Sequence, residues 1–139
     1  MLTTLMDADA KAFKMVALAY RMPKKTEEEK TKREEIIQEA LATASDVPVM
    51  VAEIAREVIT MAEFMAHMGN RSVLVDAGAA VYLSIAAVQA AALNVRENLR
   101  HLHDEVHAHA LQKRLTVALE GMDEAAAETL AIIAARTQD

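Results

Sequence analysis

Apolar residues recur along most of this chain at three- and four-residue spacing, the period of one face of an α-helix. Leu2, Leu5, Met6, Phe13, Val16 and Tyr20 form the first stripe and predict a helix over about 2–21 that buries that face. The run Arg21-Met22-Pro23-Lys24-Lys25 ends it, because proline disfavours the helical region for the residue before it. Thr26 with Glu29 three residues on is a capping-box pattern, and Glu27 and Glu28 suit the positive end of a helix dipole. A second helix therefore begins at Thr26, with Ile36, Ile37, Ala40 and Leu41 inward and the pairs Glu28–Lys32 and Glu29–Arg33 on a solvated face. Ser45, Asp46 and Pro48 predict a break, since proline is tolerated in the first turn of a new helix. The third helix carries Val47, Val51, Ile54, Val58, Met61, Met65 and Met68 as its stripe and ends at Gly69 and Asn70. The fourth, from about Ser72 to Leu99, is apolar nearly all round, which predicts a central position. The fifth, from about His103 to Arg136, turns Val106, Leu111, Leu115, Leu119, Met122 and Ile133 inward, with Gly121 marking a bend or a close contact. Short connections between long helices predict an all-α fold, an antiparallel bundle of about five helices around a central apolar one, in a single domain over 1–139.

Composition sharpens this picture. With two Tyr, two Phe and no Trp, the core is left to Ala, Leu, Val, Ile and nine Met. Three Gly and two Pro are too few for an all-β chain rich in turns. A formal net charge of −6 lacks the basic footprint that a phosphate backbone requires, so nucleic acid is not an expected partner. The absence of Cys removes disulfides, thiolate nucleophiles and zinc–thiolate sites, and fits a reducing, cytoplasmic setting. Asp7 and Asp9 interrupt the N-terminus before the apolar run of a secretory leader forms. The stretch from Ala77 to Leu93 is apolar, but it is mostly Ala and includes Ser84 and Gln89. It falls short of the roughly 20 apolar residues of a membrane span, so a buried helix is expected and no membrane partner.

Three groups of residues could carry chemistry. Asp9 falls within the first apolar stripe, whereas Asp7 projects to the side of Lys11 and reads as a solvated ion pair. A carboxylate facing a core is costly, and its desolvation favours proton transfer. The bland alternative is that Asp9 complements the helix dipole from the first turn. On the fourth helix, Asp76, Ala80, Leu83, Ala87, Ala90, Asn94 and Asn98 follow at helical spacing, small residues between polar ends. Such a lane suits the wall of a groove for a flat ligand, or equally close helix–helix packing with polar ends. His103 and His107 stand four apart, as do Glu105 and His109; without HExxH order a solvated turn is expected rather than a metal site. No serine elbow and no glycine-rich phosphate loop is present.

Taken together, several stretches resemble the cyclodeaminase part of formiminotransferase-cyclodeaminase and the stand-alone methenyltetrahydrofolate cyclohydrolases. They are LTTLMDADAKAF at 2–13, MPKKTEEEKTKR at 22–33, IQEAL at 37–41 with VP at 47–48, GNRSVLVDAGAA at 69–80 and NVRENL at 94–99. The resemblance implies an all-helical, dimeric protein that binds a tetrahydrofolate derivative as substrate, with no tightly bound cofactor and no metal. One branch of the family closes 5-formimino-tetrahydrofolate to the 5,10-methenyl form with loss of ammonia. The other interconverts 5,10-methenyl- and 10-formyl-tetrahydrofolate through water addition. The second Asp of the DADA motif carries the catalytic role in the first branch, and that position is Asp9. By the same resemblance Asp76, Asn94 and Asn98 orient the pterin, and Lys24, Lys25 and Arg33 meet the anionic glutamate tail. Two positions depart from the family pattern: Val75 stands where a Ser precedes the Asp, and Glu97 where an apolar residue is usual. The family's glycine-rich turn and small-residue first helix have no counterpart in the sequence, which implies apolar surface that other contacts must cover. The rival reading is a non-catalytic helical module for folate binding or protein interaction that keeps the fold without the chemistry.

Overall fold

The computed structural model describes residues 2–138, with Leu2 defined in its backbone alone. Five helices follow one another: α1 (Leu2–Tyr20), α2 (Glu27–Met68), α3 (Arg71–Leu99), α4 (Glu105–Leu119) and α5 (Met122–Thr137). No strand occurs among the described residues. The all-α architecture is the expected one, but the helices divide differently.

The α1–α2 connection behaves as its sequence dictates. Thr26 Oγ1 accepts from the Glu29 N–H at 3.1 Å, and Glu29 Oε2 accepts from the Thr26 N–H at 3.2 Å, closing the capping box. Glu29 is thereby occupied, and Arg33, its expected partner, reaches instead to the carbonyl of Tyr20 at 3.2 Å and lies over the Tyr20 ring. The expected break at Pro48 is absent. The predicted second and third helices are one 42-residue helix with Pro48 inside it. At an α-helical rise this is a rod of about 63 Å, and it touches each of the other four helices. A two-residue link, Gly69–Asn70, turns the chain into α3, where the Asn70 side chain accepts from the Ser72 N–H at 3.1 Å.

The predicted fifth helix is two helices. Gly121 adopts φ 65°, the left-handed region open to glycine, and separates α4 from α5. Both run along α2 in its own direction, while α1 and α3 run against it. Side chains fix that course. Gln38 of α2 donates to the His101 carbonyl and accepts from the His103 N–H, anchoring the α3–α4 turn. Further along, Arg114 of α4 meets Glu53, and Arg136 of α5 donates to the carbonyls of His67 and Gly69.

The core is built largely from small residues. Ala12, Ala19, Ala40, Ala52, Ala62, Ala66, Ala91 and Ala126 are buried alongside Ile59, Leu74, Val81, Val88, Leu111 and Leu115. The expected face of α1 holds only in part: Leu5 and Val16 turn to the core, but Met6, Phe13 and Tyr20 do not. Its inward residues are Leu5, Ala12 and Ala19, whereas Met6 (71% exposed) and Phe13 (74%) look outward. The reason is volume: helices that approach closely admit Ala at the seam and leave no room there for Met or Phe. Along α2, Met61 and Met68 of the predicted stripe are likewise exposed.

The central apolar helix, α3, is long and apolar enough by length and composition to cross a membrane. In the fold it packs along α2 and α5, and Ser84 and Val88 are buried. Its burial is one-sided, however. Val75, Tyr82, Leu83 and Leu93 form an open face, so α3 is not enclosed within a single chain as its composition suggested.

Candidate active site

Where α1, the middle of α2 and the second half of α3 meet, they leave a cleft of about 450 Å³. Leu5, Met6 and Asp9 come from α1, and Val47, Pro48 and Val51 from α2. The third wall is α3, with Ala87, Ala90, Ala91 and Asn94. Asp9 and Asn94 are the two polar side chains in an otherwise apolar lining. Ala87, Ala90 and Ala91 keep the α3 wall low, which leaves room for a flat ring system. A carboxylate can take or give a proton, and a side-chain amide offers both donors and an acceptor. A mostly apolar cleft with a few convergent polar groups is the usual form of a small-molecule site.

The sequence picked out Asp9 for a reason that the structure corrects. Asp9 does not face the core; it is exposed, between Met6 and Phe13 on the outward side of α1. Nor does it lie in the first turn, so the dipole explanation also fails. Asp7 and Lys11 are both exposed, and the expected ion pair between them does not form among the described residues. What distinguishes Asp9 is the cleft that α3 and Pro48 build opposite it, a long-range feature that periodicity within one helix does not contain.

The other candidates disperse. Asp76 sits on the same helix as Asn94 but about 27 Å away at 1.5 Å per residue. It borders a separate hollow with Met61, Met65 and Ala80. The lane from Asp76 to Asn98 is thus the wall of two clefts with exposed Leu83 between them. Asn98 Nδ2 donates to the carbonyl of Ala44 at 3.3 Å, so this amide serves the fold. Lys24 and Lys25 are exposed in the α1–α2 connection, and Arg33 is engaged with Tyr20. All three lie at the far end of α1 from Asp9. His103 and His107 approach different carboxylates of α2, Glu34 at 3.5 Å and Asp46 at 3.7 Å. No group of three or more potential metal ligands assembles among the described residues.

One cluster escaped the sequence reading. Arg114 of α4 holds both oxygens of Glu53 at 2.9 Å and Asp46 Oδ1 at 2.8 Å. The hydrogen bonds that Arg114 donates to Glu53, and then to Asp46, hold the guanidinium proton more tightly than usual, against some desolvation. Three residues that are 61 and 68 positions apart in sequence leave no local signal. An open hollow of about 400 Å³ adjoins this cluster between α2 and α4. Arg114 is engaged there by Glu53 and Arg56 by the carbonyls of Ala118 and Glu120, and the charged Glu57 and Lys113 complete a strongly polar lining. The Asp9 cleft, mostly apolar with two polar groups, is closer to the usual form of a small-molecule site.

The helical bundle thus holds an apolar cleft with one carboxylate and one amide in its lining. The chain belongs to the formiminotransferase-cyclodeaminase family, whose model matches residues 1–117. It is 46% identical over 114 residues to a methenyltetrahydrofolate cyclohydrolase of Methylorubrum extorquens, covering 82% of this chain and 55% of that protein. It is 34% identical over 137 residues to mouse formimidoyltransferase-cyclodeaminase, covering 99% of this chain and 25% of that one. The chain thus spans about half the length of the first relative and a quarter of the second. In fold it is similar to the crystal structure of formiminotetrahydrofolate cyclodeaminase from Thermotoga maritima, with a TM-score of 0.79 at 24% identity over 95% of this chain and 62% of the other.

Proposed function

We propose that this chain handles a tetrahydrofolate carrying a one-carbon unit, in the cleft between α1 and α3, with Asp9 as general acid and base. The observation that carries this reading is that Asp9 and Asn94 are the polar groups of one apolar cleft. Asn94 would hydrogen-bond the pterin edge, and the alanines of α3 would lie against its face. The relative at 46% identity favours the cyclohydrolase reaction over the deaminase one. In that reaction a water adds to the methenyl carbon as Asp9 takes its proton. The bond from that carbon to N5 then breaks, N5 is protonated and the 10-formyl product forms with net release of one proton. In the deaminase reaction the same carboxylate would protonate the departing ammonia. Asp76, which stands apart from this cleft within one chain, is not assigned a part in it, nor are Lys24, Lys25, Arg33 and Asn98.

Purified protein mixed with 5,10-methenyl-tetrahydrofolate should accelerate loss of its absorbance, and a weaker effect is expected with 5-formimino-tetrahydrofolate. Bound folate should also raise the melting temperature, since a ligand that binds the native state alone adds about RT ln(1+[L]/Kd). Stabilisation without turnover would leave a folate-binding module. Neither effect would return the chain to the interaction-module reading.

A further inference from the structure

Proline inside a helix removes one N–H and crowds the carbonyl four residues earlier. In α2 that carbonyl belongs to Ala44, whose helical donor would have been residue 48. The helix nonetheless continues through Pro48. The nearby Ser45 hydroxyl is no substitute donor, as it already serves the Leu41 carbonyl at 2.8 Å. The donor that reaches Ala44 comes from another helix: Asn98 Nδ2, at 3.3 Å. Asn98 lies one turn beyond Asn94 on α3, while Val47, Pro48 and Val51 form the α2 wall of the cleft.

We propose that Asn98 is a positioning residue: its amide replaces the hydrogen bond that Pro48 removes and ties α3 to the Val47–Pro48 wall beside Asn94. The tie itself is a property of the fold; its effect on catalysis rests on the functional reading above. It explains why a residue with a donor is needed at 98, and why α2 carries a proline without breaking.

A double-mutant cycle tests it. Pro48→Ala restores the N–H at 48, which then satisfies the Ala44 carbonyl and makes the Asn98 amide redundant. Asn98→Ala alone should lower the melting temperature by about 3 °C, the scale of one hydrogen bond in a domain of this size. In the Pro48→Ala background the same change should cost less than half as much. Asn98→Asp, similar in shape but without the amide donor, should behave like Asn98→Ala. The methyl resonances of Val47 and Val51 report on the cleft wall directly, and Asn98→Ala should move them more with Pro48 present than without. In turnover assays Asn98→Ala should raise KM roughly 10-fold with kcat little changed, because Asp9 remains, and the same change made in the Pro48→Ala background should raise KM by a smaller factor relative to Pro48→Ala itself. Equal losses in both backgrounds, or unmoved Val47 and Val51 resonances, would overturn the proposal. A wild type inactive towards every folate would defeat the functional reading alone, since the thermal and methyl comparisons need no substrate.

Discussion

Asp9 stands in the open beside a cleft, and this separates its effect on activity from its effect on stability. Because the side chain is exposed, Asp9→Asn should leave the melting temperature within about 2 °C of wild type, the range of an ordinary surface change. The same change should reduce methenyl-tetrahydrofolate turnover by roughly 100-fold or more, the scale of general acid–base contributions. Asp7→Asn is the matched control two residues away and should alter neither. Equal turnover for wild type and Asp9→Asn, measured by absorbance, would remove Asp9 from the chemistry. Arg114 makes a contrasting case. Its loss strands Glu53 and Asp46, but all three side chains are about 40% exposed. Water therefore screens the stranded carboxylates, and Arg114→Ala should cost about 1 kcal/mol in denaturant unfolding rather than the several of a buried pair.

The observed elements differ from the expected ones at two places, Pro48 and Gly121, and much of what holds the helices in place is long-range. Arginines from neighbouring helices reach the carbonyls at three C-termini: Arg136 at the end of α2, Arg56 at α4 and Arg71 at α5. None of these long-range caps has a sequence signature, whereas the local box at Thr26 and Glu29 does, and that end was legible. Pro48 misled for the same reason, since the donor that lets the helix pass it lies 54 residues away from Ala44. On α1 size is no guide to burial, since the seam takes Ala12 and Ala19 while Met6 and Phe13 stay outside. The motif residues pointed to Asp9 and Asn94, but which candidates share a cleft depends on helix pairing, and that scattered the remainder. Two glycines give opposite predictions. Gly121 holds φ 65° with open space around it, so Gly121→Ala meets no clash but suffers backbone strain and should destabilise by about 1 kcal/mol. Gly78 lies within α3, and a methyl there would make ordinary contacts with Ile133 and Leu130 at 3.8–4.0 Å. Gly78→Ala should therefore stabilise by about 0.5–1 kcal/mol through helix propensity. Thermal melts of the two variants check both signs.

For the molecule as a whole, the open sides of α1, α2 and α3 carry Met6, Phe13, Met61, Phe64, Tyr82, Leu83 and Leu93, all exposed. So many large apolar side chains left open call for a contact that covers them, and two-fold pairing is the commonest one. Light scattering at micromolar concentration should give a dimer or larger, and Leu83→Glu, which places a charge on the α3 face without touching the core, should shift it towards monomer. A monomeric wild type would refute the pairing. The way α1 is held has a different consequence. Among the described helices its backbone packs on α2 alone, whereas α2 is gripped by all four others. The two should therefore come apart from the bundle at very different free energies, in the manner of separate cooperative units. Amide hydrogens of α1 should exchange with solvent well before those in the middle of α2, which wait for global unfolding. Asp9 would ride on the part of the molecule that opens first, so a ligand could enter or leave the cleft while α2 to α5 stay folded.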